Sequence, residues 1–317
     1  MTRTYPTEEM ILWDVASGRK RETWKATDKR RRFAGAFSPD GRTYASPWFI
    51  QGAGTNFSID LIDAGTGRVR STIASPQGGF LGLRFRNGGS TLRLLAVGPN
   101  AHTLLDIDVA TGVVVESRAV ASTVSTNYLG FNALSADGRW LALTAPISAG
   151  STVSPTRLSI WDLDRDVEAF QVATPPGAAT PSRVAFSPDG KTLAVAREDG
   201  SVEFWDLATK ILVHSTAAHE RDYASVDLKF SPDGKTLAST GNVRLLRTLS
   251  LNFVRAVIDH YLLGPDQAER MELILVDTSF GRRLRSSHRD GIAVFSPDGR
   301  SVATSHEDGS VRIYDLP

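Results

Sequence analysis

Residues 183–209 read RVAFSPDGKTLAVAREDGSVEFWDLAT, and residues 291–317 return to the same phrase as GIAVFSPDGRSVATSHEDGSVRIYDLP. The FSPDG segment is a hairpin turn: proline presets φ at the first turn position, aspartate tolerates the next, and glycine takes positive φ. Short strand-like runs flank it, Arg183–Phe186 before and Thr192–Ala196 after. The dipeptide DG at 199–200 and 308–309 makes a second tight turn. The run that follows puts Val202 and Phe204 on one strand face and Trp205 on the other. Apolar residues on both faces predict a strand buried from both sides.

The first turn recurs at 37–41, 186–190, 230–234 and 295–299, with degraded copies FRNGG at 85–89 and LSADG at 134–138. A second marker, usually an apolar pair and then aspartate, alternates with it. It reads LWD at 12–14, LID at 61–63, DID at 106–108, IWD at 160–162, FWD at 204–206, LVD at 275–277 and IYD at 313–315. A turn of small residues and glycine follows, as in ASG at 16–18, AGTG at 64–67, ATG at 110–112 and TSFG at 278–281. Then comes a more polar strand, such as Val113–Arg118. Four strands in each repeat of about 40–50 residues are the signature of a propeller blade.

These residues resemble the WD-repeat family of β-propellers, over nearly the whole chain. The resemblance implies an all-β ring of four-stranded blades around a central channel, spanning 1–317 as a single domain. It also implies a structural hydrogen-bond tetrad of His, Ser or Thr, Asp and Trp in the better blades. In the last repeat that tetrad maps to His288, Thr304, Asp308 and Tyr314, with Tyr in place of Trp. In the fifth, Asp199 and Trp205 remain, but Val195 holds the hydroxyl position. In the sixth, His219 and Ser239 remain, and the Asp turn is displaced by an insertion. The tetrads are incomplete, so stability is expected mainly from apolar packing between blades.

With strands lettered a to d in chain order, the a-strand marker occurs six times and the c-strand marker seven. The chain opens on a c strand, MILWDV, then a d strand at Arg21–Lys25, then its first a strand at 33–37. Two readings remain. One has seven blade signatures with an incomplete first blade, Thr2–Tyr5 being the remnant of its b strand and the start truncated relative to a complete ring. The other has six closed blades plus an extra N-terminal strand. The first is preferred.

Composition sets the exclusions. The chain has 317 residues, 41% of them hydrophobic, which rules out wholesale disorder. No cysteine is present, so disulfides, thiolate metal sites and cysteine nucleophiles are excluded. Lys+Arg 36 against Asp+Glu 35 leaves no global field to draw nucleic acid or an anionic membrane. The apolar stretch near 249–263 is broken by Arg255 and Asp259, so no membrane span is expected. The N-terminus lacks an apolar signal region, which predicts a cytoplasmic protein.

The catalytic look-alikes fail on spacing. GKT at 190–192 and 234–236 lacks the upstream glycine of a phosphate loop, having Ala185 and Lys229 there. Asp162, Asp164 and Asp166 suggest a calcium loop, but Val167 and Ala173 occupy its glycine and acid positions. The six histidines show no metal-ligand spacing, so neither metal nor cofactor is expected. Residues 19–32, RKRETWKATDKRRR, hold eight basic and two acidic side chains. They read first as a solvated edge strand. Arg30, Arg31 and Arg32 are the alternative, a docking site for an acidic partner or a nucleic-acid backbone. Nucleic acid is disfavoured, because only Trp24 supplies an aromatic for stacking.

Between the b and c strands of the sixth repeat lie about 30 extra residues, a length that is usually functional. Phe253, Val254, Val257, Ile258, Tyr261 and Leu262 fit helical spacing and Gly264-Pro265 is a stop, so a helix is expected from about 250 to 263 within an insertion at 244–269. The b–c connections at 47–56, with Trp48 and Phe49, and at 145–155 are also long. Three long loops on one ring face make that face the candidate surface for protein partners, with Trp48, Phe49, Arg255 and Tyr261 as candidate contacts. The expected function is a non-catalytic scaffold. The alternative is a propeller enzyme or small-molecule binder at the channel mouth, using groups such as Asp227 or Arg84.

Overall fold

The computed structural model describes residues 2–3, 10–14, 19–24, 30–32, 35–50, 57–74, 79–97, 102–120, 132–146, 156–174, 178–219, 223–243, 271–288, 290–306 and 310–316. Among these residues every regular element is a β-strand except one 3-10 turn, Asn87–Gly89. The strands form seven sheets, and the chain divides into two compact units. The first unit holds residues 1–129, 136–141 and 161–167, and the second 130–135, 142–160 and 168–317.

In the first unit, β1 (Thr2–Arg3), β2 (Met10–Asp14) and β3 (Arg19–Trp24) form a three-stranded sheet. In the next sheet, β4 (Arg30–Arg32) and β5 (Ala36–Phe37) both pair with β6 (Thr43–Ile50), which β7 (Phe57–Asp63) and β8 (Val69–Ala74) follow. The third is β9 (Gly79–Arg86), β10 (Thr91–Val97), β11 (His102–Asp108) and β12 (Val114–Val120). The sheet of β13 (Asn132–Leu134), β14 (Trp140–Pro146), β15 (Thr156–Asp162) and β16 (Val167–Val172) has residues in both units.

The second unit continues with β17 (Pro181–Phe186), β18 (Thr192–Arg197), β19 (Ser201–Asp206) and β20 (Ile211–Ala217), which form the fifth sheet. The sixth is β21 (Tyr223–Phe230), β22 (Thr236–Val243), β23 (Met271–Asp277) and β24 (Arg283–His288). The last has β25 (Asp290–Phe295), β26 (Ser301–His306) and β27 (Val311–Asp315). Each four-stranded sheet is a meander, its spatial order equal to its chain order.

The two-faced burial read from the sequence sets the packing. On β23, Ile274 and Val276 join Val202 and Phe204 of β19 in one apolar cluster, while Leu273 and Leu275 join Ala293 and Val302 of the last sheet in another. A period of two thus serves two cores at once. Each such side chain contributes about 2 kcal/mol on burial. The a strands of neighbouring sheets lie side by side, β5 by β9 in the first unit, and β13 by β17, β17 by β21 and β21 by β25 in the second.

The two markers are hydrogen-bonded turns. In the four complete FSPDG copies the Ser hydroxyl donates to the Asp carboxylate at 2.5–2.6 Å and accepts the N–H five residues on at 2.9 Å. The glycine has φ of 67–73°, the left-handed region that the turn requires. These bonds, the serine hydroxyl first, hold Asp40, Asp189, Asp233 and Asp298 below the usual carboxylate pKa. The second marker opens the c–d turn. Asp63, Asp108 and Asp206 each accept a Thr N–H and the same Thr's hydroxyl at 2.7–2.9 Å.

Two expectations change, and a third lies outside the described residues. Six sheets, from β4 onward, carry a turn of the FSPDG type or its degraded copy. Among the described residues the β1–β3 sheet shows no such turn, so six blade sheets replace the seven expected. Thr2–Arg3 does pair with the first c strand, Thr2 opposite Ile11. The helix expected at 250–263 falls in 244–270, outside the described residues, and no α-helix occurs among those described. The basic run is not one edge strand: Arg19–Trp24 pairs with β2, whereas Arg30, Arg31 and Arg32 form β4 and pair with Ile50, Phe49 and Trp48 of β6.

Candidate functional site

The long insertion springs from the corner between β22 and β23. Asn242 is paired with Met271 and Gly241 with Glu272, so residues 244–270 leave and rejoin the sheet at one point. A polar lock lies under that point. His219 Nε2 is 2.7 Å from Ser239 Oγ, and Nδ1 is 3.1 Å from Glu272 Oε2. A carboxylate only accepts, so Nδ1–H donates to Glu272, and Nε2 makes the contact with the Ser239 hydroxyl. Arg283 approaches the other Glu272 oxygen at 3.5 Å.

Serine, histidine and carboxylate in a row is also the order of a hydrolytic triad. Here Ser239, His219 and Glu272 are 0%, 4% and 5% exposed, so the hydroxyl is closed to a substrate carbonyl. The arrangement works as a structural lock. It joins the His219 and Ser239 of the tetrad resemblance, with Glu272 on β23 supplying the acid in place of the displaced turn Asp.

The fifth sheet locks the same corner differently. Arg197 meets Glu203 bidentately, Nε–Oε1 at 2.6 Å and Nη2–Oε2 at 2.9 Å, and donates to the Ala179 and Ala173 carbonyls at 2.8 and 3.2 Å. Trp205 Nε1 donates to Glu203 Oε2 at 3.0 Å. Asp199 caps its own turn through Ser201, at 3.0 Å to its N–H and 2.7 Å to its hydroxyl, and takes no part in the lock. In the first unit Arg93 and Asp106 make a similar bidentate pair at 2.7 and 2.6 Å. Arg139 pairs with buried Asp162 at 2.7 Å and pulls its pKa down. Asp162 is therefore an ion-pair and turn residue.

The other sequence candidates are placed as follows. Thr304 is buried on β26, and Tyr314 on β27 lies under the Arg285 guanidinium at 4.4 Å. His288 ends β24 and is paired with Glu272, while Asp308 lies outside the described residues. Trp48 is only 8% exposed, and Trp48 and Phe49 belong to β6 instead of a loop. Arg255 and Tyr261 lie outside the described residues. Asp227 pairs with Lys229 at 2.7 Å. Arg84 donates to the Leu83 carbonyl at 2.8 Å, and crowding by protein lowers its pKa although the side chain still reaches solvent. No group of three or more metal-ligating side chains is close enough to hold an ion among the described residues.

Sequence reasoning missed Glu272, the Arg197–Glu203 and Arg93–Asp106 pairs, and the serine relay in the first turn. One signal was available: Arg197 and Glu203 flank the tight turn at 199–200 on paired strands.

Comparison with known proteins follows the same repeats. A family model described as "WD domain, G-beta repeat" matches residues 281–315, and one described as "Anaphase-promoting complex subunit 4 WD40 domain" matches 157–227. The general transcriptional corepressor TUP1 of Saccharomyces cerevisiae is 37% identical over 70 residues, 22% of this chain. The match spans only 10% of that relative's length. A chain in the crystal structure of the mitotic checkpoint complex superposes with a TM-score of 0.64 at 19% identity, over 98% of this chain and 82% of its own. The β-propeller domain of Myceliophteria thermophila Cps50 (Swd1) gives 0.62 at 14%, over 98% and 91%. Kuenenia stuttgartiensis hydrazine synthase gives 0.59 at 19%, over 90% and 76%. At these identities the shared property is the fold, an all-β propeller of four-stranded antiparallel blades.

Proposed function

For a chain of the WD-repeat family, we propose the role of a non-catalytic scaffold that binds protein partners through the connections at the b–c corners of its blades. The observation that carries this reading is the rooting of 244–270. A paired ladder end and a buried polar lock hold the base of a long segment at one defined point. That is how a rigid blade presents a recognition element. The relatives named as a corepressor and as part of a checkpoint complex support it by analogy. The enzyme among the neighbours shares the fold alone. Trp48 is removed from the contact set by its burial, which leaves Arg255 and Tyr261 in the insertion as the residues to test, with Phe49 and Arg30–Arg32 secondary. No helix among the described residues is long and apolar enough to cross a membrane.

The test replaces 244–269 with an Asn-Gly turn, which suits a hairpin whose ends are already paired. The full chain and the deletion are compared by affinity purification, with circular dichroism and thermal melting as the fold control. The expected result is an unchanged ring and the loss of specific partners, with Tyr261→Ala and Arg255→Glu reproducing part of the loss. A folded deletion with the same partners would reject the reading.

A further inference from the structure

The outer rim between β20 and the β23–β24 turn differs from the same place in three other blades. At the turn position before the left-handed residue (Gly67, Gly112 or Lys210), three sheets have a threonine that bonds the marker aspartate: Thr66, Thr111 and Thr209. The sixth sheet has Phe280, which has no hydroxyl for that bond and stands 84% exposed. An aromatic in place of a turn-forming threonine costs local stability and gains no packing.

The turn is held firmly. Gly281 has φ of 65°, and a Cβ there would lie 2.8 Å from His214 Cδ2 and 3.3 Å from Thr216 Cβ, so only glycine lets the turn close on β20. Phe280 is therefore presented from a fixed position, which lowers the entropy cost of binding. The neighbouring β20 exposes Ile211 and Val213, each 62% accessible. The sequence of β20, ILVHSTA, has no Asp, Glu, Lys or Arg. The outer strands β3, β8, β12, β16 and β24 all carry one or more. Charges usually guard such edges against adventitious pairing.

The segment after the turn is basic. Residues 278–285 read TSFGRRLR, with Arg282, Arg283 and Arg285 exposed and no acid among them. Lys210 stands at the start of β20. Asp206 and Asp277 are occupied in capping their own turns. A second copy of this chain would bring arginine against arginine. The complement of an apolar strip bordered by arginines is an acidic chain with apolar side chains. We propose that this rim docks an acidic, apolar-containing peptide segment of a protein partner, with Phe280 and Ile211 taking the apolar side chains and Arg282 the carboxylates.

The probe is a fluorescein-labelled peptide of alternating glutamate with leucine and phenylalanine, titrated with the full chain by fluorescence polarisation. Controls are an all-glutamate peptide and a short oligothymidine strand. The expected result is saturable binding that weakens with salt and falls more than about tenfold in Phe280→Thr and in Arg282→Glu. Phe280→Thr restores the residue of the other turns, so its melting temperature is expected to hold or rise, which separates lost docking from lost folding. The proposal is overturned by no binding, by equal binding in Phe280→Thr, or by equal binding of the all-glutamate peptide. Preferred oligothymidine binding would assign the rim to nucleic acid instead, and a Phe280-dependent dimer in sedimentation would assign it to a second copy.

Discussion

The fifth and sixth sheets share one plan and part at one corner. Both begin with the same serine-relayed turn, Ser187–Thr192 and Ser231–Thr236, and both feed the same apolar cluster. At the b–c corner the fifth closes tightly, Gly200 N–H donating to the Arg197 carbonyl at 3.1 Å over an Arg197–Glu203 ion pair. The sixth opens for 244–270 over a His219–Ser239–Glu272 lock. The ladder survives the opening, since Gly241 still faces Glu272. The corner's connection and the corner's lock are thus separable. A blade tolerates a long excursion where strand pairing and a buried polar contact hold its base.

The largest expected effect tests whether the fifth lock is electrostatic. Arg197 and Glu203 are both nearly buried, and removing one partner strands the other charge. Glu203→Gln or Arg197→Met is expected to cost about 3–5 kcal/mol in urea unfolding. Arg197→Met with Glu203→Leu together should recover most of the loss, because neither charge is then left buried. Losses that simply add would show that packing at this corner, and not the pair, carries the stability.

The second effect is smaller and falls on the sixth sheet. Ser239→Ala leaves His219 Nε2 without its hydroxyl and is expected to cost about 1–2 kcal/mol. It should also weaken capture of the partners that depend on 244–270, whereas Glu203→Gln should leave capture intact in the folded fraction. Equal effects of both variants on capture would erase the functional distinction between the two corners.

How much of this was legible depends on range. The turns and the two-faced strands were readable because each is set by residues within one repeat: Pro and Gly for the first turn, and alternation such as Leu273, Ile274, Leu275 and Val276 for the strand. His219 with Ser239 was legible through the family resemblance. Glu272 was not, because it reaches His219 across 53 positions of sequence and stands where neither marker points. Trp48 misled for a related reason. Its neighbours Pro47 and Phe49 resemble the start of a loop, yet β6 runs on to Ile50 because β4 and β7 pair with it on both sides. Phe280 was quoted in its turn, but its exposure follows only from the close approach of Gly281 to β20.

The smallest effect probes what the two sheets share. Asp189 and Asp233 accept the same serine hydroxyl and backbone N–H bonds, which hold both pKa values below the ordinary value. A carboxyl whose folded pKa is depressed binds its proton more readily in the unfolded chain. Its contribution is therefore fully present above the unfolded pKa of about 3.9 and is lost as pH falls through the folded value. Both carboxylates are open to solvent, so screening keeps the effect small. Asp189→Asn and Asp233→Asn are each expected to lower the melting temperature at neutral pH by no more than about 2 °C. The gap to the parent should narrow as pH falls below the unfolded value and close as it passes through the lower folded value, where the parent carboxyl becomes protonated. Matching behaviour in the two variants would show that the turn is an independent module, indifferent to whether its blade ends in a tight corner or an insertion. A larger loss at Asp233 would show that the open corner of the sixth sheet leans on its turn.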